Sequence, residues 1–196
     1  MQLFPRSRLP AIAVTLAFLS PTVRPACAQD SDEVFATIDL GVSIAYNFNR
    51  NVLHEYWDVR PGLELHASTP FYFGTARLGV QLMQHAGRGR GAVSFQAQQV
   101  YLGWAVPVLR FRRVQWMAGL QIGAMRIVFD SNADTESEIT TGLESRFGVG
   151  PFARWSVDLA VRYRRVWTST RMRQVFFVMG FRRSFGMPGW LRDGLR

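Results

Sequence analysis

Three polar side chains that could cooperate in catalysis follow one another on one face of a predicted strand. Residues 56–68 alternate apolar and polar side chains, and Glu64, His66 and Ser68 all fall on the polar side. A carboxylate, an imidazole and a hydroxyl could serve as acid, base and nucleophile. Strand residues two positions apart need not lie within hydrogen-bond reach. We therefore favour a role for these side chains in packing the interior of the fold over a role in catalysis.

The pair His66 and Ser68 resembles the His-x-Ser of outer-membrane lipid A 3-O-deacylases, which are also eight-stranded barrels. The resemblance implies a lipid A-modifying hydrolase. In that family the pair lies toward the C-terminal half and an Asn follows the Ser, whereas here Thr69 follows and the strand is the second. We therefore expect no enzymatic activity and keep the hydrolase as an alternative.

An acidic segment has part of the spacing of a calcium loop. Asp130, Asn132 and Asp134 match the start of an EF-hand, but Thr135 stands where that loop requires glycine. The histidines are scattered, and no phosphate-cradling glycine motif is present. The sequence predicts a solvated loop here, with no metal and no cofactor.

The first 28 residues have the organisation of an export signal. Arg6 and Arg8 form the charged start, residues 9–19 a short apolar core, and residues 26–28 an A-x-A cleavage site. Cleavage there would remove Cys27, the only cysteine, so the mature chain could form no disulfide. No other apolar run approaches the roughly 18 residues of a membrane helix.

The remaining chain alternates apolar and polar residues in eight segments, the first of which runs over residues 34–48. Strands of about nine to eleven residues can cross a bilayer, but only a closed sheet pairs all their backbone groups. We therefore predict an all-β fold, a closed antiparallel eight-stranded transmembrane β-barrel with an up-and-down meander. A phase slip in the fourth segment predicts a β-bulge near Gln98 and Gln99.

The lumen of such a barrel is just wide enough for side chains to fill it. Charged residues on the inward faces must then neutralise one another. We predict an ion-pair network that plugs the lumen, formed by Asp39, Asp58, Arg60, Glu64, Arg77, Glu144, Arg146, Arg154, Asp158, Arg162 and Arg182. A narrow channel through these groups is a weaker alternative.

The net charge is +9, and all basic residues are arginines. Because many of them stand at inward positions beside carboxylates, we expect no nucleic-acid binding. Arginines at the rims are better suited to the phosphates of outer-membrane lipid or lipopolysaccharide, which a guanidinium can bind in bidentate fashion.

Over residues 33–185 the chain resembles the eight-stranded OmpA/OmpX type of outer-membrane barrel, in its strand pattern rather than in a short motif. The last segment ends on Phe185, as in C-terminal strands that the bacterial barrel-assembly machinery recognises. The resemblance implies a nonenzymatic outer-membrane protein with a structural or interaction role, in which outer loops contact a partner. We expect a signal peptide at 1–28, a barrel at 29–185 and a periplasmic tail at 186–196. A soluble lipocalin-like, ligand-binding barrel is the alternative fold.

Overall fold

The structure is a computed structural model, which describes residues 35–48, 52–89, 92–130, 135–152, 154–167 and 172–195. The predicted export signal at residues 1–28 lies outside the described residues. Within the described ranges, no helix combines the length and the apolar character needed to cross a membrane.

Most described residues lie in antiparallel strands, as the alternating sequence predicts. The strands are β1 (Thr37–Asn47), β2 (Trp57–Val59), β3 (Gly62–Phe71), β4 (Gly74–Gly87), β5 (Phe95–Phe111), β6 (Val114–Phe129), β7 (Thr135–Phe152), β8 (Trp155–Val166) and β9 (Met172–Gly186). Two short helices, α1 (Val52–Tyr56) and α2 (Gly189–Leu195), precede β2 and follow β9.

The sheet closes on itself. β1 pairs with β3, and from β3 to β9 each strand pairs with the next one in the chain. β1 also pairs with β9, from Thr37 opposite Gly186 to Asn47 opposite Phe176. β2 and β3 both pair with β4, so they are two parts of one interrupted strand. The ring therefore contains eight strands. The predicted eight-stranded antiparallel meander is confirmed. We call the end of the barrel that carries Thr37 and Gly186 the terminal end, and the opposite end the loop end.

The two faces of the barrel have opposite character. Large apolar side chains on the outer face are about half exposed, among them Leu40, Ile44 and Leu143 at 49, 54 and 56%. The alternate positions point inward, where charged residues such as Glu64 and Arg162 are fully buried. An apolar exterior around a polar interior is the pattern of a transmembrane barrel rather than a soluble one.

The predicted bulge near Gln98 and Gln99 is wrong. β5 pairs with β6 in continuous register from Phe95 to Pro107, and the irregularity lies between Pro107 and Leu109. Without a bulge there, Phe95 and Ala97 keep the same inward parity as Gln99 and Tyr101 and are buried in the lumen. Their apolar side chains look like lipid-facing positions in the sequence, but they belong to an apolar part of the interior.

A second irregularity separates β2 from β3. Val59 pairs with His85 and Leu63 with Leu82, so β2–β3 holds one residue more than the facing stretch of β4. This extra residue at Arg60 and Pro61 reverses which parity points inward. Val59 is accordingly buried and its neighbour Asp58 is exposed, the reverse of the sequence-based assignment.

The connections at the terminal end are short. The turns lie at Tyr72–Phe73 and Arg112–Arg113, and around Arg154. The predicted tail at 186–196 contains helix α2.

Candidate functional site in the barrel lumen

The lumen is divided along its axis into three parts. A polar recess opens at the terminal end, an ion-pair layer fills the middle, and buried apolar side chains close the loop end. The recess we call the vestibule, and the apolar group, which we call the apolar plug, consists of Ala45, Val59, Met83, Phe95, Ala97, Met125, Ile127, Val166, Phe176 and Val178.

Arg162 on β8 is the centre of the ion-pair layer. Its Nη2 donates to Glu144 Oε2 at 2.7 Å and to Glu64 Oε1 at 3.1 Å, and its Nη1 also donates to Glu64. The guanidinium is completely buried, as is Glu64. One arginine therefore bridges two carboxylates that come from β3 and β7, on different sides of the barrel.

Both glutamates also accept hydrogen bonds from neighbouring side chains. Arg146 Nε donates to Glu144 Oε1 at 2.9 Å and Gln121 Nε2 donates to Glu144 Oε2 at 3.0 Å. Tyr101 Oη donates to Glu64 Oε1 at 2.8 Å. Buried charges are stable only when such hydrogen bonds replace the lost water.

A second tier of the layer lies nearer the terminal end. Arg77 reaches Glu144 and Asp158, both at 3.6 Å, and links the two tiers. Arg182 lies 3.2 Å from Asp39 and 3.4 Å from Asp158. Ser184 completes the tier by donating to Asp39 at 2.6 Å.

Eight of the eleven predicted network residues lie in this layer: Asp39, Glu64, Arg77, Glu144, Arg146, Asp158, Arg162 and Arg182. The other three lie elsewhere. Asp58 is outside the lumen, where it pairs with Arg88 at 3.2 Å, and Arg60 is exposed at the bulge between β2 and β3. Arg154 is exposed in the turn before β8. Their inward assignment is corrected, because a bulge and a turn interrupt the alternation on which it rests.

The network prediction omits Tyr101 and Arg164. Tyr101 fits over Gly79, where a Cβ atom would overlap the tyrosine ring. Arg164 is buried, donates to Gln81 and stacks at 4.5 Å on the ring of Phe176, without a carboxylate partner among the described residues. Both stand at inward parity, so strict alternation would have identified them.

The three catalytic candidates face the lumen without forming a hydrogen-bonded set. His66 Nδ1 lies 3.8 Å from Glu64 Oε1, beyond hydrogen-bond distance. Ser68 Oγ and both ring nitrogens of His66 have no hydrogen-bond partner among the described residues. His66 and Ser68 are also buried. This arrangement offers neither an activated hydroxyl nor an approach for a substrate.

Among the described residues, no group of three or more histidine, cysteine, aspartate or glutamate side chains is placed to hold a metal ion. The acidic segment that resembles a calcium loop falls largely on residues 131–134, which lie outside the described ranges.

Comparisons with known proteins agree on the architecture. No family model and no curated protein matches the sequence. Among solved structures, the chain is similar to Neisserial surface protein A, with 12% identity and a TM-score of 0.55 over 76% of this chain and 96% of that one. It is also similar to the N-terminal β-barrel domain of Pseudomonas aeruginosa OprF, with 4% identity and a TM-score of 0.52 over 78 and 99%. At these identities the likeness concerns the fold, and the chain has the fold of small eight-stranded outer-membrane barrels of the OmpA/OmpX type.

Proposed function

We propose that this chain is an outer-membrane β-barrel with a structural or interaction role, whose lumen neither conducts nor catalyses. The observation that carries the proposal is the bridge from Glu64 through Arg162 to Glu144, which spans the lumen with buried groups. The apolar plug closes the same axis at the loop end. A hydrated ion would have to break both barriers to pass.

The absence of catalysis rests on the geometry of Glu64, His66 and Ser68. A lipid-modifying hydrolase needs its nucleophile close to its base and open to the bilayer. Ser68 is instead buried inside the barrel, opposite Asp39 on β1 and Arg77 on β4. Glu64, His66 and Ser68 therefore serve to fill the lumen.

Placement in the outer membrane is supported by the exposed apolar exterior and by the predicted export signal. With the signal removed and the terminal end in the periplasm, the connections at the loop end face outward. Phe185 is the last aromatic residue of β9 and stands next to the end of the strand. A C-terminal strand that ends in this way suits recognition by the barrel-assembly machinery.

Outer-membrane lipid or lipopolysaccharide is the partner that the outer face fits best. Arg165 lies on the outer face of β8 at the loop end, and its guanidinium stacks at 4.0 Å on Trp167. Trp167 Nε1 in turn donates to Thr141 at 3.0 Å. An arginine held at an aromatic girdle is positioned for a lipid phosphate. A protein partner would bind through the outer loops.

Cell fractionation combined with heat-modifiability tests this proposal. We expect the chain in the outer-membrane fraction, with unboiled and boiled samples migrating differently on a gel, because a folded barrel resists detergent until heated. A chain with Pro substituted at Val42, in the middle of β1, is the unfolded control, since proline removes a ladder hydrogen bond. A soluble periplasmic protein without a mobility shift would refute the proposal.

A further inference from the structure

The vestibule at the terminal end is a recess that the ion-pair layer does not fill. It is a cavity of about 470 Å³, open toward the solvent at that end of the barrel. Arginines dominate its charged lining: Arg110, Arg112, Arg113 and Arg182. Ser156 and Gln115 add hydrogen-bonding groups to its wall.

The β-bulge of β5 directs Arg110 into this recess. Leu109 pairs with Trp116 and is 55% exposed on the outer face, whereas Arg110 pairs with Gln115, which lines the vestibule. Between Pro107 and Leu109 the register shifts by one residue. Bulges commonly re-aim a side chain, and this one turns a cation inward at the mouth of the lumen.

The neighbouring turn brings two more guanidiniums to the same mouth. Arg112 has a φ of 49°, a left-handed conformation that is uncommon for a residue with a side chain. Arg112 lies at 5.5 Å from the ring centroid of Phe111, and Arg113 lies at 5.9 Å from that of Phe152. The aromatic rings restrain both side chains at the rim of the vestibule.

The described part of the chain does not balance the positive charge of Arg110, Arg112 and Arg113 with ion pairs. Asp39, the carboxylate that lines the vestibule, is already engaged by Arg182 and Ser184. None of Arg110, Arg112 and Arg113 forms an ion pair with a described carboxylate. Three guanidiniums around one recess repel one another and attract a multiply charged anion.

We propose that the vestibule binds a small soluble polyanion that carries two or more phosphate or carboxylate groups. Guanidiniums bind such oxyanions with paired hydrogen bonds, and the recess has room for more than one anionic group. The inward direction of Arg110 favours a ligand in the aqueous mouth over a lipid headgroup beside the barrel. Anion binding at this site requires only the closed barrel. The proposal therefore goes beyond the proposed role in the membrane, and either one can be refuted without the other.

Titration calorimetry on the full barrel, refolded in a zwitterionic detergent, tests the site with inorganic pyrophosphate as the probe. We expect saturable binding at one site that weakens as salt is added. The double variant Arg110→Gln with Arg113→Gln should bind at least about tenfold more weakly, because each charge-assisted hydrogen bond contributes about that factor.

Arg183→Gln is the matched control. Arg183 lies at the same end of the barrel but on the outer face, where its guanidinium is 5.4 Å from the ring centroid of Trp155. Its removal should change pyrophosphate binding by less than about twofold, since an exposed charge at a distance is largely screened. Heat-modifiability of each variant would show that the barrels compared are folded.

Three results would overturn the proposal. The first is that pyrophosphate fails to saturate one site. The second is that Arg183→Gln weakens binding as much as the double variant, which would indicate nonspecific attraction. The third result comes from vesicles of phosphatidylcholine with and without phosphatidylglycerol. If Arg110 and Arg113 affect association only with the anionic vesicles and not with pyrophosphate, the arginines bind lipid headgroups instead.

Discussion

At the scale of single residues, Arg162 determines whether two buried carboxylates are tolerated. Glu64 and Glu144 both depend on its guanidinium, although each also accepts a hydrogen bond from a neutral donor, Tyr101 or Gln121. Removing one partner of a buried ion pair leaves an unpaired charge that water cannot reach. Removing Arg162 should therefore destabilise the whole ion-pair layer.

Arg162→Met is expected to lower the free energy of unfolding by about 3–5 kcal/mol, measured by urea unfolding in lipid vesicles. Arg183→Met, on the outer face, is the control and should cost about 1 kcal/mol or less, since it loses only stacking on Trp155 and Phe185. Adding Glu64→Gln to Arg162→Met should restore part of the stability. Equal losses for the two single variants would contradict the bridging role of Arg162.

Gly79 and Tyr101 form a second pair at the residue scale. Since a Cβ at Gly79 would overlap the tyrosine ring, Gly79→Ala is expected to displace Tyr101 and break its bond to Glu64. It should cost more than Tyr101→Phe, which removes a charge-assisted hydrogen bond of about 1.5–3 kcal/mol. In a Tyr101→Ala background, Gly79→Ala should cost much less. Additive losses in the double-variant cycle would count against this packing.

At the scale of strands, the sequence predicts alternation well and its interruptions poorly. On β6, on β8 and on β7 as far as Val149, the inward and outward faces follow parity without a break, so Glu144, Asp158 and Arg162 fall in the lumen as expected. The irregular register at Arg60–Pro61 and at Pro107–Leu109 depends on pairing with a neighbouring strand, which a single sequence does not display. Both irregularities contain proline, which cannot donate to the ladder, and this is the local signal that could have located them.

The bulge in β5 can be tested with spin labels attached to single cysteines in a Cys27→Ser chain, Cys27 being the only native cysteine. We expect a label at Leu109 to be relaxed by oxygen, which concentrates in lipid, because Leu109 faces outward. A label at Arg110 should be relaxed by a water-soluble nickel complex, because it faces the vestibule. Uninterrupted alternation from Ala105 would give the reverse pattern, and observing that would eliminate the bulge.

At the scale of the whole molecule, the barrel is a closed wall around an interior that changes character along its axis. The vestibule is polar and open, the middle is ionic and buried, and the apolar plug lies toward the loop end. Closure and strand number follow from the periodicity of the sequence. The apolar plug does not, because Phe95, Ala97 and Ile127 lie inward on strands whose apolar residues are otherwise expected to face lipid. Their position is decided by packing at one end of the lumen.

Conductance across a planar lipid bilayer tests the closed lumen most directly. The purified barrel is inserted into the bilayer, insertion is verified by heat-modifiability of the recovered protein, and current is recorded in concentrated potassium chloride. We predict no regular current steps, because Arg162 with its two glutamates and the apolar plug both obstruct the axis. Reproducible steps from the unmodified chain would show a continuous wet path through the lumen and would contradict the account.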